Sequence, residues 1–388
     1  MSNMLEKAKQ IEEYVISFRR DLHRHPELSN KEFRTQERIM EELDKLGVPY
    51  EKVGTTSLIA NIKGGKPGKT VALRGDMDAL PIIEETEIDF KSENQGVMHG
   101  CGHDAHAAML LGAAKLLSEM KDELAGEVRL FFQEGEENFS GAKMIIEAGG
   151  MEGVDACFGM HLMPGLETGY VDITPGYRMA GCDNMYVRFE GVSGHGSAPH
   201  LAKDTIHPAS TFVTDLQGIV AKNVDARHPI VISVGKFDGG TRANVVAKYT
   251  QLDISMRSFT PESREAAIEG IKRHAKAIAE AYEIKSEVIL EESAISLYND
   301  EEIVEIASQS AIEVFGEGKN IALDKFMGSE DMAYYFEHAK GAYAMLGYRN
   351  ESKEAIYYPH HEKYKIDEDA LKYGTALHVQ FAIDFLSR

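Results

Sequence analysis

Cysteine, positive charge and long apolar runs are all scarce in this 388-residue sequence. The three cysteines are an odd number in a long chain, which argues against the disulfide framework of a secreted protein. No run approaches the roughly 18 to 20 apolar residues that a membrane-spanning helix needs. Lys and Arg number 42 against 63 Asp and Glu, so the net charge of -21 works against binding to nucleic acid or anionic membranes. We therefore expect a small-molecule partner, no nucleic acid and no membrane.

The N-terminal segment and the overall length set two further expectations. MSNMLEKAKQIEEYV has no apolar stretch between a basic start and a small-residue cleavage site, so it lacks the pattern of a signal peptide. Together with the cysteine count, this predicts a cytoplasmic protein. A length of 388 residues with 43% hydrophobic side chains favours two domains, each with its own core.

The first part of the sequence alternates helical and strand-like patterns. Apolar spacings of three and four predict one amphipathic helix over 4–22 and a second from about Lys31 to Leu46. Helical stretches near 104–120 and 140–148 then alternate with the apolar runs Ser57–Ile62, Thr70–Arg74, Val128–Gln133 and Cys157–Leu162. This alternation predicts an α/β core with a largely parallel sheet.

From about Gly181 the order of predicted elements becomes βαββαβ, a ferredoxin-like pattern that can fold as a separate domain. Its elements are Met185–Glu190, Lys203–Lys222, Ile230–Phe237, Tyr249–Arg257, Pro261–Tyr282 and Lys285–Leu290. The last part of the sequence resumes the α/β pattern of the first part, with predicted helices at 302–315 and 367–386 and a predicted strand at Tyr343–Gly347. The sequence therefore predicts a discontinuous catalytic domain over 1–180 and 295–388, interrupted by a second domain over 181–294.

The segment MHGCGHDAH, residues 98–106, places three histidines, a cysteine and an aspartate within nine residues. Cys101 and His103 are two positions apart, a spacing that suits a loop presenting a thiolate and an imidazole to one ion. Both groups are typical ligands of zinc and related divalent metals. A solvated His-rich turn or a buried structural cysteine would explain an isolated Cys-x-His better, but further clusters in this sequence favour the metal site.

Carboxylates follow a predicted strand about thirty residues later. The strand VRLFFQ leads into Glu134, Glu136 and Glu137, and adjacent carboxylates at the end of a buried strand are costly unless cations are present. The carboxyl ends of parallel strands are also where α/β sheets bind ligands. One glutamate could coordinate metal while its neighbour takes a proton from metal-bound water. The alternative is an acidic surface turn, which is common in so acidic a chain.

Three further segments supply candidates. Asp78, in RGDMDALP, could orient a ligand histidine, or could simply cap a helix or turn. His161 follows the strand-like run CFGM, where a lone histidine is more often a core residue. His360 and His361, in YPHHE near the C-terminus, add one more possible ligand.

In combination, these residues resemble the M20 metallopeptidase family, and within it the branch of aminoacylase, hippurate hydrolase, indoleacetyl-amino acid hydrolase and N-acetyl-diaminopimelate deacetylase relatives. The resemblance covers nearly the whole chain. It implies a zinc-peptidase-like catalytic domain and an inserted lid that also dimerises, hence a homodimer or higher homo-oligomer. Its markers are RRDLHRHPELSNKE (19–32), RGDMDALP (74–81), MHGCGHDAH (98–106), FFQEGEE (131–137), HLMPG (161–165), GVSGHGSAPH (191–200), GGTRANVV (239–246), GSEDM (328–332) and PHHEKYKIDEDAL (359–371).

The resemblance also implies a role for individual residues. The family's metal ligands fall on Cys101, His103, Glu137, His161 and His360. His360 is chosen over His361 because it lies seven residues before Asp367, the spacing of the family's ligand histidine.

The catalytic and substrate-binding roles are carried over in the same way. Glu136 matches the general base, and Asp78 matches the carboxylate that assists the metal centre. His195 matches a histidine expected to polarise the scissile carbonyl. Asn244 and Arg257 resemble the groups that hold the substrate's carboxylate, and an arginine suits bidentate contact.

One departure from the family pattern precedes the glutamate pair. The family usually has Pro-Ala there, whereas this chain has Glu134 and Gly135. We expect an additional negative charge near the site and a less rigid loop, which bear on metal preference and on the pKa of the base but not on the reaction class.

The sequence therefore predicts an amidohydrolase that cleaves the amide bond of N-acyl amino acids by metal-activated water. Two divalent ions are expected, with zinc, manganese, cobalt and nickel as candidates. One alternative is a dipeptidase or carbamoyl-amide hydrolase on the same two-metal centre. Another, from a different class, is a catalytically inactive metal-dependent binding protein, against which the intact Glu136 and His195 argue.

Overall fold

The computed structural model describes residues 4–388, apart from the side chains of residues 292 and 293. The chain divides into two compact units. The first unit runs up to Gly176 and includes 298–324 and 331–388, and the second comprises 177–297 and 325–330. The sequence-based division at 181 and 294 did not group residues 325–330 with the second unit.

The helices and strands of the described residues are as follows. The helices are α1 (Met4–Gln10), α2 (Glu12–Arg24), α3 (Phe33–Leu46), α4 (His103–Glu119), α5 (Gly141–Glu147), α6 (Ile206–Asn223), α7 (Pro261–Ala281), α8 (Glu301–Phe315) and α9 (Ala370–Leu386). The strands are β1 (Tyr50–Val53), β2 (Ser57–Lys63), β3 (Lys66–Asp76), β4 (Ala125–Gln133), β5 (Ala156–Glu167), β6 (Val171–Asp172), β7 (Gly176–Met179), β8 (Gly181–Glu190), β9 (Gly194–His195), β10 (Ile230–Gly239), β11 (Val245–Val246), β12 (Tyr249–Ser258), β13 (Lys285–Ala294), β14 (Leu297–Asn299) and β15 (Lys340–Arg349).

The first unit is built on a seven-stranded sheet with the order β1-β2-β4-β3-β5-β15-β6. The four central strands β4, β3, β5 and β15 are parallel, whereas β1, β2 and β6 pair antiparallel at the two sides. In β3, Val71, Ala72 and Leu73 are all buried, as in strands that are covered on both faces. The predicted α/β class is confirmed, and the parallel part of the sheet is its centre.

Helix α4 brings part of the His-rich segment to the carboxyl edge of this sheet. Nearly every residue of α4 is buried, including both faces, as expected for a helix that is apolar all round. The helix begins at His103, directly after Gly102, whose φ of 90° lies in the left-handed region. A Cβ atom on Gly102 would lie 2.6 Å from the Tyr364 hydroxyl, so glycine is required for both reasons.

The N-terminal region differs from the prediction of one continuous helix over 4–22. The structure has two helices, α1 and α2, with an interruption at Ile11. The Ile11 N–H donates to the Ala8 carbonyl at 3.2 Å, which tightens the turn and ends the first helix there. Both segments keep their apolar side chains in the core, since Ala8, Val15 and Leu22 are buried. The apolar spacing therefore predicted the buried face correctly, although it did not reveal the break between the two helices.

The second unit has a four-stranded antiparallel sheet with the order β10-β12-β8-β13 and the two helices α6 and α7. Its main elements follow the predicted βαββαβ order, with the short strands β9 and β11 between them. Alternate residues of β12, among them Leu252, Ile254 and Met256, face a separate apolar core. Among residues 4–388, no helix combines the length and apolarity that crossing a membrane requires.

Close packing between α2, α4 and α9 predicts the effect of one substitution. A Cβ atom at Gly112 would lie 2.8 Å from Val15 Cγ2 and 2.9 Å from Thr375 Cγ2. Both neighbours are β-branched and cannot rotate away easily. We expect Gly112→Ala to lower the free energy of unfolding by about 1–3 kcal/mol, measured by thermal or denaturant unfolding followed by circular dichroism.

A glycine in another helix provides the matched control. Apart from its chain neighbours and the nearby backbone of its own helix, no heavy atom of the described residues lies within 4 Å of the Cβ position of Gly218 in α6. Gly218→Ala should therefore stabilise its helix by about 0.5–1 kcal/mol through helix propensity alone. Equal effects of the two substitutions would contradict the packing argument.

Candidate metal centre and active site

Polar side chains meet at the carboxyl edge of the central parallel strands. β3 ends at Asp76, β4 ends at Gln133 just before Glu136 and Glu137, and β5 carries His161. The chain passes from β3 to β4 on one side and then to β5 on the other side of β3. Such a reversal leaves a crevice at the strand ends, where α/β sheets bind ligands.

The five predicted metal ligands come together at this edge in overlapping sets. The donor atoms of Cys101, His103 and His161 lie within 4.8 Å of one another, and so do those of Cys101, Glu137 and His360. Cys101 Sγ is 3.4 Å from His161 Nε2, and Glu137 Oε1 is 3.4 Å from His360 Nε2. The two sets share the thiol of Cys101.

The donor atoms fit divalent cations. His103 Nε2 is buried without a hydrogen-bond partner among the described residues, and it faces Glu137 Oε1 at 4.0 Å. Buried polar atoms without a partner are rare because they are costly. Two ligands at about 2.0–2.2 Å from a tetrahedral ion lie roughly 3.4 Å apart, close to the separations found here. Thiolate, imidazole and carboxylate donors suit zinc and its neighbours in the first transition row.

Asp78 fixes the direction in which His103 presents its free nitrogen. Asp78 Oδ1 lies 2.9 Å from His103 Nδ1, so Nε2 points towards the other donor atoms. Asp78 Oδ2 accepts hydrogen bonds from the Ser29 hydroxyl at 2.7 Å and from the Glu137 N–H at 3.1 Å. Burial raises the pKa of Asp78, but the hydrogen bond and charge of His103 outweigh burial and hold the pKa below its ordinary value. Asp78 thus orients two of the predicted ligands at once.

His106 and Asp76 belong to the same buried cluster, but the sequence analysis gave neither of them a role. The Leu162 N–H donates to His106 Nε2 at 3.1 Å, so the proton of this imidazole is on Nδ1, which donates to Asp76 Oδ1 at 2.6 Å. Both nitrogens of His106 are therefore used by the protein, and His106 supports the site without ligating. The signal was present, because His103 and His106 are three positions apart and share a face of α4.

The carboxylate of Asp76 contacts both a guanidinium group and an imidazole of this network. Its Oδ2 accepts from Arg74 Nη1 at 2.6 Å and lies 3.6 Å from His103 Nε2. Burial raises the pKa of Asp76, but the charge of Arg74 and the hydrogen bond from His106 help to hold it well below the ordinary value. The carboxylate therefore stays ionised, and its negative charge lies beside the predicted metal ligands.

Protonation differs among the predicted ligands. Burial lowers the pKa of His161 to about 3, so this imidazole is neutral. Burial also raises the pKa of the Cys101 thiol. Hydrogen bonds to Cys101 and Glu137 raise the pKa of His360 to about 10. A metal ion must therefore displace protons from Cys101 and His360 at neutral pH.

Glu136, the predicted base, is buried next to the ligands. One of its carboxylate oxygens lies within 4.8 Å of the donor atoms of His103 and Glu137. Glu134, which departs from the family pattern, does not leave an uncompensated negative charge near the site. Its carboxylate accepts the backbone N–H groups of Thr55 and Ser57, each at 3.0 Å, and that of Thr56. The additional negative charge is thus compensated by backbone dipoles of the segment between β1 and β2.

The predicted substrate-binding residues lie in the second unit. His195 is exposed, and its Nδ1 accepts the Ser197 N–H at 3.1 Å, which leaves the proton on Nε2 as an available donor. The pairing of β9 with β11 brings Asn244 alongside, because the Gly196 N–H donates to the Asn244 carbonyl at 2.9 Å. Arg257 is on β12 and donates to the Ser329 hydroxyl at 2.6 Å.

Residues 72–384 match the model of peptidase family M20/M25/M40. The chain belongs to this family. The resemblance inferred from the sequence markers is therefore confirmed.

Individual M20 relatives match over almost their full lengths. Thermostable carboxypeptidase 1 of Saccharolobus solfataricus is 39% identical, with 100% of both chains covered. N-acetylcysteine deacetylase of Bacillus subtilis is 35% identical over 95% of this chain and 96% of the relative. The crystal structure of a Bacillus subtilis protein described as a dinuclear metal-binding peptidase of the M20 family superposes with a TM-score of 0.87, at 32% identity and with 98% and 99% of the two chains covered.

The hydrogen bond between Asp78 and His103 predicts the effect of the isosteric substitution Asp78→Asn on metal binding. In Asp78→Asn the amide cannot accept as strongly from His103 Nδ1, and it places an N–H group near the Ser29 hydroxyl or the Glu137 N–H. We expect the affinity for a divalent cation to fall about 10- to 100-fold, as for other partners of ligand histidines. Calorimetric titration with zinc or manganese measures it. Asp122→Asn, at an exposed position, is the control, and equal affinities of the two variants would refute the orienting role.

The protons on Cys101 and His360 predict a pH dependence of metal binding. Because both groups are protonated in the metal-free protein below their raised pKa values, the apparent affinity should increase with pH across the neutral range. Titrations in buffers of different ionisation enthalpy count the protons released. His360→Gln should release about one proton fewer, whereas an affinity that does not change with pH would exclude this proton balance.

Proposed function

We propose that this M20 protein is a two-metal amidohydrolase that removes the acyl group from N-acyl amino acids. The observation that carries the proposal is the position of Glu136, a buried carboxylate directly beside two overlapping sets of metal-binding side chains. A base next to a cation site is the arrangement that hydrolysis of an unactivated amide needs. The likeness to N-acetylcysteine deacetylase supports an N-acyl amino acid as the substrate.

The ligands and the base have separate tasks in this proposal. Cys101, His103, Glu137, His161 and His360 hold two divalent ions. When bound, such ions lower the pKa of water and polarise a carbonyl group. Glu136 accepts the proton of the attacking water and returns it to the leaving nitrogen, and Asp78 keeps His103 in the orientation that binding requires.

The second unit contributes substrate contacts and the oligomer in this proposal. His195 uses its Nε2–H to stabilise the oxyanion that forms on the acyl carbonyl. Asn244 and Arg257 bind the carboxylate of the amino acid. The unit acts as a lid that excludes water and as the surface of a homodimer or higher homo-oligomer. Its outer strand β10 supports the latter role, because Val231 and Phe237 on this sheet edge are exposed.

A cytoplasmic location is part of the same proposal. The three cysteines are free thiols, and Cys101 must be reduced to act as a ligand. A reducing compartment maintains that state.

A second candidate is peptide hydrolysis on the same centre. The 39% identity to a thermostable carboxypeptidase favours it. A C-terminal amino acid released from a peptide and one released from an N-acyl amino acid carry the same carboxylate, so Asn244 and Arg257 serve both reactions. Carbamoyl amides form a third substrate class. The side chains around the acyl group decide between these substrates, and the reaction chemistry is common to all.

Replacement of the base tests the proposal. Glu136→Ala should keep its metal content while its kcat falls about 10²- to 10⁴-fold, because the water loses its proton acceptor. Release of free amine is measured on N-acetyl, N-benzoyl and indoleacetyl amino acids, dipeptides and a carbamoyl amino acid, with zinc, manganese, cobalt or nickel. Glu147→Ala, at an exposed position on α5, is the control.

The outcomes separate the alternatives. Turnover of dipeptides alone would replace the N-acyl proposal by the peptidase. Full activity of Glu136→Ala would remove Glu136 as the base. Metal binding with no turnover of any substrate by the wild-type protein would support an inactive binding protein instead.

A further inference from the structure

Two buried glutamates, Glu32 and Glu134, lie on either side of one hydroxyl group. The Thr56 Oγ1 atom is 2.6 Å from Glu32 Oε2 and 2.6 Å from Glu134 Oε2. All three residues are fully buried. Neither carboxyl group forms an ion pair with a Lys, Arg or His among residues 4–388, so no cation offsets their charge. Two ionised carboxylates in such surroundings would be very costly.

The protons available at Thr56 cannot satisfy two ionised carboxylates. A hydroxyl group has one proton and donates it to one acceptor. If both glutamates were ionised, one carboxylate oxygen would face the hydroxyl's lone pairs at 2.6 Å. One of the two carboxyl groups must therefore carry a proton and donate it to Thr56 Oγ1, while Thr56 donates to the other.

The remaining contacts decide which glutamate is ionised. Glu134 accepts three backbone N–H groups from the segment 55–57, all of which favour the carboxylate. Glu32 accepts only two, from Asn30 and Gly135, each at 2.9 Å and both on Oε1. Among the residues that the structure describes, its Oε2 has only the Thr56 hydroxyl as partner, so the proton is on Glu32. In agreement, burial raises the pKa of Glu32 to about 7.

This network surrounds the residue that precedes the proposed base. Glu32 holds the N–H of Gly135, and Glu134 fixes the preceding position to the segment 55–57. Gly135 has a φ of 54°, and a Cβ atom there would lie 2.7 Å from Ser140 Oγ and 2.8 Å from Asn30 Nδ2. The backbone directly before Glu136 is therefore held from several sides by polar groups, without any cation.

We propose that Glu32 and Glu134 share one proton through Thr56 and act as positioning residues that hold the segment carrying Glu136. The inference rests on the proposed role of Glu136 as the base. Neither glutamate touches the metal-binding side chains, and the Glu137 N–H is held separately by Asp78. Loss of the shared proton moves the base and leaves metal binding in place.

Two substitutions with the same change of atoms distinguish the partners. Glu32→Gln supplies an amide N–H to Thr56 Oγ1 and a carbonyl to the Gly135 N–H, as the protonated glutamate does, so kcat should stay within about twofold. Glu134→Gln turns an N–H group towards the backbone donors of 55–57, and a displaced base should lower kcat about 10- to 100-fold. KM and metal content should change little in both. Glu147→Gln is the surface control.

The pH profile adds a measurement that a merely structural role would not affect. The titratable groups that act on Glu32 from neighbouring segments are Glu134, through Thr56, and Asp78. As pH rises through the pKa of Glu32 the proton is lost, so kcat of the wild type should fall on the alkaline side. Glu32→Gln has no such proton and should lack that part of the decline.

Two readouts do not depend on activity and so separate this inference from the proposed function. Infrared difference spectra at mildly acidic pH should show a protonated carboxyl stretch in the wild type that Glu32→Gln lacks. Hydrogen exchange of the peptide containing Gly135 and Glu136 should be faster in Glu134→Gln than in Glu32→Gln. If the wild type hydrolyses none of the amides, the proposed function fails, whereas these two measurements still test the shared proton.

The remaining outcomes would overturn the inference. Equal loss of kcat in both variants, unchanged exchange in Glu134→Gln, or absence of the carboxyl stretch would each do so. Should Glu134→Gln not fold, Thr56→Ser and Thr56→Val replace it. The serine retains the hydroxyl and should retain the stretch and the exchange rate, and the valine should lose both. Identical behaviour of serine and valine would also overturn the inference.

Discussion

The carboxylate of Asp78 is the contact on which the arrangement of the candidate site depends. One of its oxygens holds His103 Nδ1, and the other accepts from the Ser29 hydroxyl and the Glu137 N–H. The segment after β3, the start of α4 and the segment after β4 thus meet on a single side chain. Because an imidazole presents its second nitrogen in the direction set by the first, this contact determines where His103 Nε2 can bind.

Buried negative charge is compensated in two different ways around this contact. Asp76 is paired with Arg74, whose guanidinium also donates to Asp331 at 2.7 Å, and Asp104 is paired with Arg19 at 2.6 Å. Such pairs keep carboxylates ionised over a wide pH range. Near the base, backbone N–H groups and a shared proton take the place of arginine. In the proposed site, a cation there would compete with the metal ions for Glu137 and would pair with the base Glu136, whereas backbone N–H donors do neither.

Sequence patterns predicted the elements that depend on the local periodicity of apolar residues. The apolar runs gave β2, β3, β4 and β5 within a few residues, because a strand buried on both faces needs consecutive apolar side chains. The βαββαβ order followed from the same periodicities. The set of five candidate ligands followed from the resemblance to the M20 family, and the structure brings their donor atoms together.

What the sequence did not reveal depends on contacts between distant segments. The role of His106 follows from the Leu162 N–H, which fixes its tautomer, and no local pattern contains that contact. The direction of Glu134 depends on backbone donors at 55–57, nearly eighty residues earlier. The break at Ile11 is too small to alter the apolar spacing on either side. The first two features depend on hydrogen bonds from distant segments, whereas the break at Ile11 is a local change in helical hydrogen bonding.

The chain has a net charge of -21, and its candidate site also concentrates acidic side chains. An acidic chain that concentrates Asp76, Glu136 and Glu137 at one edge of a sheet raises the cost of ionising each further group there. Divalent cations relieve this cost directly, which couples their binding to the stability of the first unit. Where no cation is expected, the chain lowers the cost by retaining a proton on Glu32. The proposed metal ligands and the proton-sharing pair are thus two solutions to one problem, the burial of carboxylates beside the proposed base.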